Sequence, residues 1–112
     1  MSITAKKIIP GSQLTASAAT YYTAPANTRT KISKLTFTNN DATARTVTLH
    51  LVPSGGSAGV TNIITKAASI APGGVYEAFE AEGHVLESGG TIQALADSAS
   101  QVTIQGSGLE IY

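Results

Sequence analysis

Short runs of alternating hydrophobic and polar residues recur along the chain, and Gly or Pro interrupts them. The clearest run, Thr46–Val52, reads Thr-Val-Thr-Leu-His-Leu-Val. A period of two residues is that of a β-strand with one buried face, here formed by Val47, Leu49 and Leu51, while His50 lies on the opposite face. No stretch shows a convincing helical period, so the sequence predicts an all-β protein.

The spacing of the turn residues divides the chain into eight or nine short strands. The segment 60–70 could form one irregular strand or two short ones, and Val85-Leu86 leads into the turn Ser88-Gly89-Gly90. Strands at these spacings are typical of a single antiparallel β-sandwich, and we expect a jelly-roll-like arrangement. The predicted strands are 2–9, 18–23, 30–38, 45–52, 60–70, 75–79, 91–96, 101–105 and 109–112.

Parity within the runs predicts which side chains face the core. In 30–38, Ile32 has one parity while Leu35 and Phe37 have the other, which predicts a β-bulge near Ser33-Lys34 if all three are buried. For 75–79 the pattern allows two alternatives for the side chains that face the core: Tyr76 with Ala78, or Val75 with Phe79. In 91–96, Ile92, Ala94 and Ala96 alternate with Gln93 and Leu95, and in 101–105 Val102 and Ile104 are predicted to face inward.

Turn residues also predict strand ends and pairing. The turn at 39–42 predicts that 30–38 and 45–52 pair as a hairpin. Gly106-Ser107-Gly108 is expected to separate the last two strands. Pro10-Gly11 is expected to close the first strand, so that residues 1–12 form a strand or an extended N-terminal arm.

Composition limits the classes of function. The 112 residues suit one domain, 1–112, with a small core, because aromatic residues are 5% and Trp is absent. Charged residues are only 12%, with 7 basic and 7 acidic side chains, so the chain has no electrostatic footprint for nucleic acid. A surface with so few charges is protected poorly against association, which indicates a protein packed into an assembly.

The lack of certain residues and segments excludes further classes of protein. The chain has no Cys, which excludes disulfides and thiolate metal sites. Met1 to Gly11 has no apolar run of the secretory type, and no segment approaches the ~20 apolar residues of a membrane span. We therefore expect a protein made in the cytoplasm of its host, without a membrane partner.

The best candidate for chemistry is the run Glu80-Ala81-Glu82-Gly83-His84. In a strand, Glu80, Glu82 and His84 would point the same way and could offer two oxygens and a nitrogen to a divalent cation. The alternative, a solvated acidic turn, is favoured. We assign no catalytic, cofactor or metal residue, and His50 is interpreted as a surface or interface histidine because no nucleophile or carboxylate is singled out beside it.

Tyrosines and lysines are given structural roles. Of Tyr21 and Tyr22, one is expected in the core and its neighbour on the surface or in an interface, because a sugar or base platform would normally add Trp or a basic groove. The scattered lysines are predicted to protect strand edges from unwanted pairing. They are Lys6, Lys7, Lys31 and Lys34.

Four stretches carry a resemblance to a known class of proteins. Ile9–Leu14, Leu51–Gly56, Val85–Ile92 and Val102–Glu110 together resemble small virion structural proteins of tailed bacteriophages, which include capsid decoration (cement) and tail- or fibre-associated proteins. The resemblance implies a β-sandwich that oligomerises on a capsid, neck or tail surface. It brings no catalytic residues with it.

Resemblance and composition together predict a non-enzymatic bacteriophage virion protein, with capsid decoration ahead of a tail, neck or fibre role. Its expected partners are copies of itself, as a trimer, and phage capsid or tail proteins. We expect segment 2–11 to lie across a neighbour by strand addition.

Two other classes of function remain open. Loops Pro53–Gly59 and Gly83–Gly90 could form the cup of a carbohydrate-binding or adhesive module. A cupin-like enzyme ranks lower, because a cupin metal site needs about three His and a Glu, whereas this chain has only His50 and His84.

Overall fold

The structure is a computed structural model that describes residues 1–112. It contains nine β-strands and one short 3-10 turn, Phe79–Ala81, so the all-β prediction is confirmed. No helix is long and apolar enough to span a membrane. The strands are β1 (Ile3–Gln13), β2 (Ala19–Thr23), β3 (Arg29–Asn39), β4 (Arg45–Val52), β5 (Ile63–Ile70), β6 (Val75–Glu77), β7 (Val85–Leu86), β8 (Thr91–Ala96) and β9 (Val102–Ile111).

The strands form two antiparallel sheets. The first has the order β1-β9-β3-β6, with β7 also paired to β3, and the second has the order β2-β8-β4-β5. Strands β6 and β7 pair with opposite ends of the same edge of β3, at residues 36–38 and 30–31, so they act as one interrupted strand. Nine strands thus occupy eight positions in two four-position sheets. This is a jelly roll, and the sandwich prediction is confirmed.

The core lies between the sheets and follows the predicted parity. In β4, Val47 and Leu49 are buried, and the half-buried Leu51 shares their face because its partner in β8 is the buried Ile92. The register shift between Ile32 and Lys34 confirms the predicted bulge in β3. It allows Ile32, Leu35 and Phe37 to be fully buried together. The predicted inward residues Val102 and Ile104 are buried too, and of the two alternating sets in 91–96 the one that faces the core is Ile92, Ala94 and Ala96.

The region 75–79 takes the first of its two alternatives. Ala78 is fully buried and Tyr76 is partly buried against the core, whereas Val75 and Phe79 are 61% and 70% exposed. The strand ends at Glu77, because the chain then turns through the 3-10 segment. In 60–70, one strand forms from Ile63 onward, with register shifts against β4.

The predicted hairpin between β3 and β4 is wrong. Strand β3 pairs with β9, β6 and β7, while β4 pairs with β5 and β8 in the other sheet. The corner between them is held by the buried Asn39, whose Nδ2 donates to the carbonyls of Thr43 (2.9 Å) and Ile70 (3.1 Å). Its Oδ1 accepts from the backbone N–H of Asp41 at 2.9 Å. A side chain that satisfies three backbone groups favours a crossover between sheets instead of a tight turn.

Strand β1 continues through Pro10-Gly11 to Gln13, so its predicted end is wrong. It is an edge strand, where a missing N–H can face solvent, and its register against β9 shifts on both sides of Ile9. Residues 3–13 therefore lie along β9 of the same chain, and Ile8 and Ile9 are buried in the core.

The predicted break at Gly106-Ser107-Gly108 is also wrong, since β9 runs without interruption to Ile111. Both glycines face inward, where large neighbours fill the space that their side chains would occupy. A Cβ on Gly106 would lie 2.7 Å from Leu35 Cδ1, and one on Gly108 would lie 2.5 Å from the carbonyl oxygen of Lys31. These glycines are close-approach positions within a central strand.

Candidate functional site

The acidic run at 80–84 does not form the strand that would align its side chains. Glu80 lies in the 3-10 turn, and Gly83 adopts a positive φ of 90° before His84. Glu80, Glu82 and His84 have different surroundings, and no group of three or more His, Asp or Glu is arranged to hold a metal ion. The strand-aligned alternative is wrong, and the favoured alternative, a turn, is what forms between β6 and β7.

Glu80 instead joins the two sheets. Its Oε2 accepts hydrogen bonds from Tyr76 Oη of β6 and from Thr65 Oγ1 of β5, the latter at 2.7 Å. Burial opposes ionisation of Glu80, but the hydrogen bonds from Tyr76, its own backbone N–H and Thr65 outweigh it and hold its pKa below the usual value. The pKa of Tyr76 is raised by burial and by Glu80. We call Tyr76, Glu80 and Thr65 the outer bridge.

A second cluster of the same residue types lies deeper. Tyr22 of β2 donates its hydroxyl proton to Glu110 Oε2 of β9 at 2.6 Å, and Thr30 Oγ1 of β3 lies 2.7 Å from Tyr22 Oη. Burial and Glu110 raise the pKa of Tyr22 to about 12. Lys6 Nζ lies 3.5 Å from the same carboxylate oxygen. We call Tyr22, Glu110 and Thr30 the inner bridge. Tyr22 is the core tyrosine that the sequence predicted.

Glu82 faces a like charge. Partial burial and the neighbouring Glu77 carboxylate raise the pKa of Glu82, against the opposing effects of the Leu35 backbone and Lys34. Lys34 Nζ lies 3.8 Å from Glu77 Oε1, and Glu82 Oε2 is buried without a hydrogen-bond partner. Burial and the like charge of Glu77 therefore disfavour the ionised form of Glu82.

His50 is buried, so its predicted surface position is wrong. It keeps the predicted strand face, opposite Gln93 of β8, but the loop after β4 folds back over it and leaves 7% exposed. Its Nδ1 lies 2.9 Å from Asn62 Oδ1, which also accepts from the Gly59 N–H. Asn62 Nδ2 donates to the Ser57 carbonyl, so His50 carries its proton on Nδ1. His50 and Asn62 hold the loop in place.

The two loops that were expected to form a cup do lie side by side. A cavity of about 340 Å³ opens between them, with Pro53 and Ser54 on one wall and His84 to Glu87 on the other. Its apolar lining includes Leu51, Ile64 and Leu86. The size is within the range of small-ligand sites, although no aromatic residue lines it.

The exposed face of the first sheet carries a continuous apolar patch near the ends of β1 and β9. Residues that pair directly across antiparallel strands share a face. One row runs Ala5–Leu109–Lys31–Val85 across β1, β9, β3 and β7, and the next runs Ile3–Ile111–Arg29. Glu110 points inward between Leu109 and Ile111, so both rows point outward. We call the set Ile3, Ala5, Leu109, Ile111, Val85 and Lys31 the terminal face.

The terminal face is open to solvent. Ile3 is 58% exposed and Val85 is 49% exposed, while Leu109 and Ile111 are half-buried by their neighbours in the sheet. The local sequence does not predict the terminal face. The alternation of Leu109 and Ile111 against Glu110 is informative only once β9 is known to be one strand. The pairing of β1 with β9 then adds Ile3 and Ala5.

The lysines divide between two positions. Lys6 and Lys7 lie on the edge strand β1, as predicted for edge protection, and Lys7 Nζ donates to Gln105 Oε1 at 2.8 Å. Lys31 lies where β3 is paired on both sides, so its predicted edge role is wrong, whereas Lys34 lies in the gap between the segments of β3 that pair with β7 and β6. Lys31 forms no ion pair with a carboxylate.

Comparison with known proteins gives a fold likeness. No protein-family model and no curated protein matches the chain. Among solved structures, it is similar to a chain of infectious bursal disease virus, Gx strain, at 15% identity and a TM-score of 0.53 over 98% of this chain. A chain of the Gt strain gives 10% identity and a TM-score of 0.52 over 97%. This chain spans 32% of each of those chains, and at such identities the likeness shows the fold alone.

Proposed function

We propose that this protein is a non-enzymatic structural component of a virus particle, and specifically a capsid decoration protein of a tailed bacteriophage. One observation carries the proposal: a jelly roll with few charges leaves aliphatic side chains in two adjacent rows, Ile3 and Ile111 in one and Leu109 in the other, on an open sheet face. Contiguous exposed apolar surface in a soluble domain usually marks an interaction site. The likeness in fold to chains of a virus supports the same class.

Decoration requires contact area and no reactive groups. A protein that binds only the assembled particle stabilises that state by mass action, by roughly 2.7 kcal/mol per site at a free concentration 100 times the dissociation constant. Repeated sites on a particle add avidity when copies are linked to one another. We therefore include self-association, as a trimer, in the proposal.

Strand addition at the N-terminal segment stays part of the proposal in an altered form. Residues 3–13 pair with β9, so it is the outer edge of β1 that would meet a neighbour. Deleting 2–11 would remove Ile8 and Ile9 from the core, so a Pro substitution at the exposed Ala5 tests the edge with less damage. Light scattering of both forms, with thermal melting as a folding control, reads out the oligomer.

Co-sedimentation with empty capsids of the phage that encodes the chain tests the main proposal. We expect the purified protein to pellet with assembled capsids, to stay in solution with unassembled capsid subunits, and to raise the melting temperature of the capsids. Absence of binding to capsids, together with binding to isolated tails, would move the protein to a tail, neck or fibre position. Binding to neither would refute a virion role.

The cup between the two loops favours a second candidate, a carbohydrate-binding or adhesive module. Both walls are held by hydrogen bonds: Asn62 fixes the first loop, and the Gly89 N–H donates to the Ala24 carbonyl in the second. A pre-formed cavity of about 340 Å³ suits a sugar ring. A glycan array is the direct test, and a signal that survives blocking of the cup with Ser54→Trp, at an exposed residue of its wall, would exclude this site.

A further inference from the structure

We propose that the terminal face docks against a different protein whose surface combines an apolar centre with a carboxylate, and that a second copy of this chain is not its occupant. The inference rests on the proposed function and names the partner's chemistry. Its basis is the position of one uncompensated cation, Lys31, within an aliphatic row.

Lys31 lies between two apolar side chains of neighbouring strands. It pairs with Leu109 of β9 on one side and with Val85 of β7 on the other, and all three point to the same face. No carboxylate lies within 4 Å of its ammonium group, although Lys6, Arg29 and Lys34 each have one. Covering the face would take the Lys31 charge out of water, which costs several kcal/mol unless the partner supplies an opposite charge.

A second copy is a poor source of that charge. In a head-to-tail contact Lys31 would meet another surface of the copy, where four carboxylates are already paired with cations: Asp41, Glu77, Glu87 and Asp97. In a two-fold contact the same patch lies on both subunits, so Lys31 would approach Lys31 or the aliphatic residues around it. The acidic side chain that follows β7, Glu87, already accepts from Arg29 Nε through its Oε1 at 3.0 Å. Like charges brought together at an interface disfavour the wrong partner. The terminal face therefore disfavours binding to the same face of a second copy.

The size of the face points to a partner with repeated sites. Four strands at a spacing of roughly 4.8 Å give a width of about 14 Å. Two rows of side chains over that width cover far less than the roughly 800 Å² per partner of a stable interface. A single contact of this kind is weak, whereas many equivalent contacts on one particle hold an oligomer firmly.

Matched variants test the inference in capsid co-sedimentation. Lys31→Glu and Leu109→Thr alter the terminal face, while Lys66→Glu on β5 and Leu95→Thr on β8 make the same changes on the other sheet. Lys66 is exposed like Lys31, and Leu95 is half-buried like Leu109. Thermal melting shows whether all four remain folded.

We expect Lys31→Glu to weaken capsid binding by roughly tenfold or more and Leu109→Thr by roughly fivefold, with both controls within about twofold of the unaltered protein. Raising NaCl from about 50 to 300 mM should weaken the unaltered protein more than Lys31→Gln, because the lost attraction is between charges.

Three results would overturn the inference. Equal capsid binding by face variants and controls would leave the decoration role standing and remove the terminal face from it. A solution oligomer that Leu109→Thr dissociates and Leu95→Thr does not would identify a second copy as the occupant. Failure of the unaltered protein to bind any particle would refute the proposed function together with the docking partner.

Discussion

Two clusters built from the same three residue types join the sheets at different depths. The inner bridge, Tyr22 with Glu110 and Thr30, is buried at the end of the core. The outer bridge, Tyr76 with Glu80 and Thr65, closes the side where β5 meets β6, and its carboxylate is exposed. The chemistry is nearly identical, so the comparison isolates the effect of burial.

Burial raises the pKa of the tyrosine in both bridges, Tyr22 and Tyr76. In the inner bridge burial dominates, and the pKa of Tyr22 rises to about 12. In the outer bridge hydrogen bonds outweigh burial at the acid, and the pKa of Glu80 falls. Solvent screens an exposed pair, whereas a buried acceptor that loses its donor keeps its full desolvation cost. The inner bridge should therefore contribute most to stability.

The largest expected effect is that of Tyr22→Phe. The substitution removes the donor to the buried Glu110 carboxylate and leaves Thr30 without its partner, so we expect a loss of about 3 kcal/mol in the free energy of unfolding. Urea denaturation at pH 7 measures it. A loss no greater than that of Tyr76→Phe would show that burial does not distinguish the two bridges.

Alkaline pH should break the inner bridge in the unaltered protein. The folded-state pKa of Tyr22 is raised from 10.0 to about 12, so its contribution is complete below pH 10 and is lost as pH rises through 12. The stability advantage of the unaltered protein over Tyr22→Phe should shrink over that window. A constant difference from pH 9 to 12 would contradict this assignment.

Tyr76→Phe is expected to have a smaller effect, below about 1 kcal/mol, because the outer bridge is in contact with water. The lowered pKa of Glu80 implies stability that is present above its unfolded value of 4.5 and is lost as pH falls below it. Thermal melts from pH 3 to 7 should therefore converge for Tyr76→Phe and the unaltered protein at the acidic end.

Glu82→Gln should produce the smallest change, in the opposite direction. The pKa of Glu82 is raised, so the unaltered protein is favoured at low pH and loses stability as pH rises above 4.5. The substitution removes the repulsion from Glu77, and we expect a slightly higher melting temperature at pH 7 and none of this gain below pH 4. A lower melting temperature at pH 7 would show that the carboxylate pairs favourably with Lys34.

Local alternation made much of the fold predictable. Burial of one face imposes a period of two on each strand, and this is why the inward residues of β4 and the first half of β9 were correctly identified. The bulge in β3 followed from the same logic. The local sequence does not determine which strands pair with each other. The crossover after β3 depends on contacts of Asn39 with β5, 31 residues away.

The candidate site was less predictable for the same reason. His50 has the parity of a surface residue and is buried because Asn62, beyond a ten-residue loop, folds over it. Gly106 and Gly108 match a turn in sequence, and only the packing of Leu35 and the Lys31 backbone shows that they belong inside a strand. The terminal face forms only when β1 and β9 lie side by side, so neither strand alone predicts it.

The position of β9 has a consequence for the synthesis of the protein. It is translated after every other strand, yet it lies between β1 and β3 and holds both of them in the first sheet. Until it leaves the ribosome, β1 has no partner strand, the facing edge of β3 is unpaired, and the first sheet lacks a central strand. We therefore expect the sandwich to form only after residues 102–111 have been translated. Folding should be slow for a domain of this size, because the paired strands are far apart in sequence.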